Sequence, residues 1–172
     1  MDQFQSADLG KIKSGIVTET SKFGLIVNSE GKTVFIPASL SAVLRSDEWS
    51  DEVFEAVLHR YDNKFITFQL MQSKSMIVGS ITGAVTQLKQ AAKPMPFSDI
   101  HAGAVYEGRI ENICQYGVFV DIGNVTVFVH KTCLLNPGEC PLDFYIPGNR
   151  IVVRVTEIDG AKGRISGEEY HP

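Results

Sequence analysis

From Gly117 to His130 apolar and polar positions alternate one by one: Val118, Val120 and Ile122 share a parity that Val125, Val127 and Val129 resume after Gly123-Asn124. Side chains two apart line one face of a strand, so the pattern predicts two strands joined by a tight turn, with a β-branched face directed inward. The same reading places strands over residues 104–112, 117–122, 125–130, 151–158 and 164–166, with a second turn at Asp159–Gly163. On the fourth, Ile151, Val153 and Val155 face in, while Val152, Arg154 and Thr156 face out. Between the third and fourth strands LLNPGECPLDFYIPGN, rich in Pro and Gly, reads as a loop.

The pattern repeats. Gly10, Gly15, Phe23, Gly24, Val27, Phe35 and Ile36 precede Gly103, Gly108, Tyr116, Gly117, Val120, Phe128 and Val129 by 93 positions each. Further on, FEAVLHRYD (Phe54 to Asp62) overlays IVVRVTEID (Ile151 to Asp159) at an offset of 97, and ASLSAVLRSDEWSDE before it reads as a short helix or two. A duplicated five-stranded unit with its long connection between strands three and four fits the OB barrel, whose open face takes oligonucleotides or sugars. The expected fold is all-β: two tandem five-stranded OB-fold barrels, over residues 1–74 and 100–172, joined by a connector over 75–99. In the connector Ile77, Ile81, Val85, Leu88 and Ala92 form a helical stripe, weakened by Gly79 and Gly83. A helix packing on one or both barrels is the expectation, ahead of a partner-binding or dimer helix.

The opposite parity of the second copy carries the candidate chemistry. Gly117, Phe119 and Asp121 share it with Thr126, Phe128 and His130, and since Asp121 and Thr126 favour water, the rings beside them are expected on the wet side. Phe119 and His130, with Phe128 and Tyr116, then form an outward aromatic cluster near Arg154 and Arg164. Exposed rings are a stacking platform for unpaired bases. The alternative is that the 133–149 loop or the connector helix covers them.

Charge narrows the reading. The formal net charge is -4 at pH 7. Residues 1–80 hold 8 basic and 10 acidic residues, residues 101–172 hold 6 and 9, and the connector between is +1. Neither half has the basic surface of a duplex binder, so nucleic-acid binding would rest on stacking and shape and show a shallow salt dependence. Three cysteines, Cys114, Cys133 and Cys140, argue against a disulfide framework. With no membrane-length apolar run, and a start (MDQFQSADLG) lacking the order of a secretory signal, the expected location is the cytoplasm, away from membranes.

At Gly103, Gly108, YGVFVDIG, FVHK, PGNRIVVRV and EIDGAKGRIS the second half resembles the RNA-binding domain of the ribosomal protein S-one family, an OB-fold module also found in polynucleotide phosphorylase and ribonuclease E. The resemblance covers about 70 residues and implies RNA contact at Tyr116, Phe119, His130, Asp159 and Arg164. Two departures stand out: the last hairpin has one extra residue before Arg164, and Ser166-Gly167-Glu168-Glu169 replaces the usual Leu-Ser ending. The first copy resembles the family more distantly, with Ile26 for the second aromatic, Pro37 for the histidine and Phe65 aligned to Arg164. It is expected to be structural or protein-docking, with weak RNA contact at Lys22, Phe23 and Lys64.

His130, Cys133 and Cys140 offer three soft ligands, short of the four of a structural zinc, so no metal and no cofactor are expected. No nucleophile–base motif, paired carboxylates or phosphate loop of the Gly-x4-Gly-Lys-Ser/Thr type occurs, which argues against an enzyme. The expectation is a non-enzymatic binder of single-stranded RNA, single-stranded DNA not being distinguished, acting in translation, transcription or RNA turnover. The rival is an adaptor docking on a ribosomal, polymerase or nuclease protein through the first domain.

Overall fold

The computed structural model describes residues 3–172. The chain divides into two compact units, one ending at Val85 and one beginning at Thr86. In the first, β1 (Ile12–Ser21), β2 (Gly24–Ser29), β3 (Lys32–Pro37), β4 (Phe65–Ser73) and β5 (Met76–Ser80) form a sheet in the order β3-β2-β1-β4-β5, with α1 (Asp51–Leu58) in the connection between β3 and β4. Helix α2 (Ile81–Ala91) crosses the division. In the second unit β6 (Val105–Cys114), β7 (Gly117–Asp121), β8 (Thr126–His130), β9 (Arg150–Asp159) and β10 (Arg164–Glu169) close into a barrel in the order β10-β8-β7-β6-β9. The fold is the expected mostly-β pair of five-stranded, barrel-like sheets with a short helix between them.

The period-two pattern sorts the second barrel as expected. Val118, Val120, Val127, Val129, Val153 and Val155 are fully buried. Close approach of β6 to β7 needs Gly108, where a methyl group would overlap the carbonyl oxygen of Asp121. Gly15 meets Asn28 in the same way in the first unit. Closure of the second barrel comes from β10, which pairs antiparallel with β9 and parallel with β8. In the first unit β5 reaches the Val34 and Ile36 side chains at Gly79, so there the sheet edges meet through side chains.

Three expectations need correction. FEAVLHRYD is not a strand: residues 51–58 are α1 and His59–Tyr61 a 3-10 turn. Phe54, Leu58 and Tyr61 recur at helical spacing and are the residues buried, and Ser50 caps the helix by accepting the Val53 N–H at 3.2 Å. The counterpart of β9 in the first unit is therefore β4: Ile66 faces Gly15 as Ile151 faces Gly108, an offset of 85 in place of the expected 97. The β3–β4 connection, residues 38–64, is thus eight residues longer than its counterpart 131–149. Second, Ile77 lies in β5; the helix begins at Ile81 and buries Ile81, Ala84 and Val85. Third, Asp121 is only 5% exposed although it shares the outward parity.

Candidate nucleic-acid interface

The β7–β8 register sets Phe119 directly across from Phe128, and the parallel β8–β10 register sets Phe128 beside Ser166. The two phenyl rings lie 5.0 Å apart at 44°, and His130 meets Phe128 edge-on at 6.3 Å. Around them is a groove of about 510 Å³ lined by Cys114, Tyr116, Phe119, Thr126, Phe128 and Arg164, among others. Phe119, Phe128 and His130 are half-buried on the outer face, and Tyr116 in the β6–β7 turn is 52% exposed. Tyr116, Phe119 and Phe128 line the groove and His130 stands beside it against Phe128; none of the four rings is fully buried.

Polar groups edge the rings. Thr132 N–H donates to His130 Nδ1 at 3.2 Å, which assigns the neutral ring's proton to Nε2 and leaves it a donor. Lys131 N–H donates to the Tyr116 carbonyl at 2.8 Å, tying the loop after β8 to the turn that presents Tyr116. Arg164 opens β10 across from Asp159, whose Oδ1 accepts the Lys162 N–H at 3.1 Å and so shapes that turn. Arg154 stands apart from this group. Its guanidinium is held by Glu168, and it lies 5.0 Å from the centroid of the Tyr170 ring. The acidic ending that departs from the family pattern thus neutralises an outward arginine.

Cys114, Thr126 and Ser166 also line the groove, beyond the contacts expected from the sequence. Their signal was present in the outward parity, but only the register across the β6 bulge between Ile110 and Asn112 places Cys114 there. Thr126 donates to Glu111 at 2.8 Å, and Glu111 is ion-paired to Lys89 of α2. Burial raises the carboxyl pKa of Asp121 from its ordinary value, opposed by Lys89 and reinforced by Glu111. Burial and a hydrogen bond to Glu169 push the Tyr145 phenol up to about 12.

The first unit has a matching groove of about 440 Å³ with different chemistry. Ile26, Thr33, Phe35 and Pro37 hold the positions of Phe119, Thr126, Phe128 and His130. Met76 faces Ser73 as Ile165 faces Ile158, so Ser75, and not Phe65, stands where Arg164 does; Phe65 matches Arg150. Gln3 and Phe4 form part of its wall. Phe4 is only 6% exposed, with the amino groups of Lys13 and Lys32 at 5.6 and 4.7 Å from its ring centroid. Phe23 is 70% exposed beside Lys22, itself paired with Asp51. The Lys64 carbonyl accepts from the Val17 N–H of β1 at 3.0 Å, and Lys22 lies just beyond the far end of that strand. Among the described residues no group of three or more His, Cys, Asp or Glu is arranged to hold a metal, and no helix is long and apolar enough to cross a membrane.

A closed five-stranded barrel with a helix-containing or 3-10 connection between its third and fourth strands, and rings on its outer face, defines the OB class. Within that class, residues 99–168 match the family model described as the S1 RNA binding domain. The C-terminal unit is an S1-type OB-fold domain. Over 147 residues the chain is 30% identical to small ribosomal subunit protein bS1 of Leuconostoc lactis, covering 83% of this chain and 32% of that protein. It is 24% identical over 152 residues to a 4-hydroxy-3-methylbut-2-enyl diphosphate reductase of Clostridium acetobutylicum, covering 88% of this chain and 23% of the relative. A crystal structure of a multidomain protein with nucleic acid binding domains from Streptococcus pneumoniae aligns with 94% of this chain and 51% of that one, at 16% identity and a TM-score of 0.43. The chain thus spans about a third of the ribosomal relative and under a quarter of the reductase.

Proposed function

We propose that the protein is a non-enzymatic binder of single-stranded RNA, in a cytoplasmic setting, and that the groove of the second barrel is where the strand lies. The observation that carries this reading is the set of two adjacent outward phenyl rings with Tyr116, His130 and Arg164 at their edge. Bases stack on Phe119, Phe128 and Tyr116, while His130 Nε2–H and Arg164 donate to phosphate or base edges, and Asp159 accepts from a base or ribose hydroxyl. Phe23, Lys22 and Lys64 contribute little by comparison. Arg154 contributes only when Glu168 releases it. The ribosomal-protein name of relatives spanning both units supports a role alongside translation.

Anisotropy of labelled oligo-U and oligo-A RNA against the wild type and the Phe119→Ala/His130→Ala variant tests it. Micromolar binding that the double substitution abolishes is expected; binding untouched by it would move the site elsewhere. One observation favours a second role for the first unit: its groove has lost the second ring and takes up Phe4 of the same chain. A protein-docking function for that unit, on a ribosomal, polymerase or nuclease protein, accords with this, and a stoichiometric protein co-purifying with a chain that binds no RNA at low salt would favour it over the first reading.

A further inference from the structure

The second unit concentrates positive charge away from the aromatic groove. Of the eight lysines and arginines in residues 86–172, four line one concavity of about 310 Å³: Lys89, Lys93, Arg109 and Arg150. Arg109 and Arg150 are direct cross-strand partners on β6 and β9. Like charges placed opposite one another destabilise a sheet. The fold does not require them, because the same register pair in the first unit is Ile16 and Phe65.

The acidic groups facing this concavity do not cancel it. Lys89 is spent on Glu111, with Asp121 Oδ1 at 3.9 Å. Arg150 shares a surface ion pair with Glu107 at 2.8 Å, both side chains being more than half exposed, a kind of pair worth little in water. The hydrogen bond of Arg109 goes to the Gly148 carbonyl at 3.0 Å, which neutralises nothing. Lys93 has no hydrogen bond or ion pair among the described residues. Four cations, Lys89, Lys93, Arg109 and Arg150, stand against the three carboxylates Glu107, Glu111 and Asp121, a surplus of one positive charge, and Lys93 and Arg109 have no acidic partner of their own among the described residues. A phosphate monoester carries about -1.5 to -2 near pH 7, together with oxygens that accept from guanidinium and ammonium groups.

We infer that this concavity binds the phosphate group of a nucleotide through Arg109, Arg150 and Lys93. The site is separate from the ring-lined groove, so it stands whether or not that groove binds RNA. The phosphate can belong to an RNA 5′ end or to a free mononucleotide.

Calorimetric titration of the full chain at low salt tests the inference and separates the two sources. The probes are uridine 5′-monophosphate and hexauridylate with and without a 5′-phosphate; the proteins are wild type, Arg109→Gln/Arg150→Gln, Lys93→Gln and Phe119→Ala/His130→Ala. Uridine monophosphate is expected to bind the wild type and the groove variant alike, and to bind at least about tenfold more weakly to the arginine variant, as lost charge-assisted contacts dictate. A preference for 5′-phosphorylated over 5′-hydroxyl hexauridylate that vanishes in the arginine variant assigns the site to RNA ends. Monophosphate binding without that preference assigns it to free nucleotides. The exposed Lys93→Gln substitution gives the same direction of change should the double variant lose its fold. No saturable monophosphate binding, binding indifferent to all three cation substitutions, or binding lost only with Phe119 and His130 overturns the inference.

Discussion

Replacing Phe119 by leucine separates stacking from folding, because the protein already carries an aliphatic residue, Ile26, at the matching position of its first unit. Leucine keeps most of the volume with which a half-buried ring covers the outer face of β7, and such swaps cost under about 1.5 kcal/mol. Loss of the 5.0 Å ring pair with Phe128 falls within the same range, about 0.5 to 1.5 kcal/mol. For a unit of this size that is a drop in Tm of about 4–8 °C per kcal/mol. A base stacked on the ring is worth about 1–3 kcal/mol by removal, and leucine retains part of the apolar contact but no flat π-face. An affinity loss of about 1–2 kcal/mol, or about 5–30-fold, should follow.

The measurement is anisotropy of a labelled oligo-U at fixed salt and 25 °C, beside a melting curve of each protein. Repetition at several salt concentrations adds a second reading: with one or two phosphates neutralised, log K should fall with log salt at a slope of about -0.7 to -1.4 for a single strand. The variant should lose affinity while keeping that slope, since Arg164 and His130 are untouched. Unchanged affinity in a folded Phe119→Leu protein would refute the stacking argument, and a much steeper slope would show that charge, not ring contact, holds the RNA.

Three further substitutions probe the rest of the structure. Because burial raises the Asp121 pKa, the folded state keeps that proton above the ordinary unfolded value of about 3.9; its stabilising contribution is complete below that pH and is lost as pH rises through the folded pKa. Asp121→Asn should therefore gain Tm relative to wild type between acid and neutral pH, and a difference constant from pH 4 to 8 would contradict this. Phe4→Ala removes a nearly buried ring and should cost about 3–5 kcal/mol by denaturant titration, with a smaller loss showing that the N-terminal segment is not held. Ser50→Ala removes the cap of α1 and should cost about 1 kcal/mol; no loss would count against the helix over 51–58.

Much of this architecture was legible in one parity rule. The β-branched residues at alternate positions of β7, β8 and β9 have to leave water, which fixes where Phe119, Phe128 and His130 emerge. The rule failed where another force set the outcome. Asp121 has outward parity, yet neighbouring chain removes it from solvent, and strand periodicity carries no information about what lies above a strand. FEAVLHRYD could be laid onto IVVRVTEID because both are apolar runs ending in Asp, but Phe54, Leu58 and Tyr61 obey a period near 3.6, and Ser50 followed by Asp51 and Glu52 announces a helix start. That overlay displaced the first-unit counterpart of Arg164 from Ser75 to Phe65. Arg154 was legible as outward, whereas its capture by Glu168 depends on the β9–β10 register, in which the two face each other.

The two barrels also show why ligand chemistry can change while the fold persists. Inward positions of both units are filled by Val, Leu, Ile and Phe packed to exclusion of water, and there a change of volume is felt by every neighbour. Outward positions meet no such constraint, so Ile26 can stand for Phe119, Pro37 for His130, Ser75 for Arg164, and Ile16 with Phe65 for the Arg109–Arg150 pair. Each exchange alters what the surface can hold and leaves the interior intact. Restoring rings and charge to the first unit would still not recreate the groove of the second, because Phe4, held near the amino groups of Lys13 and Lys32, forms part of the first groove's wall, whereas the second groove is lined by no described residue preceding its first strand.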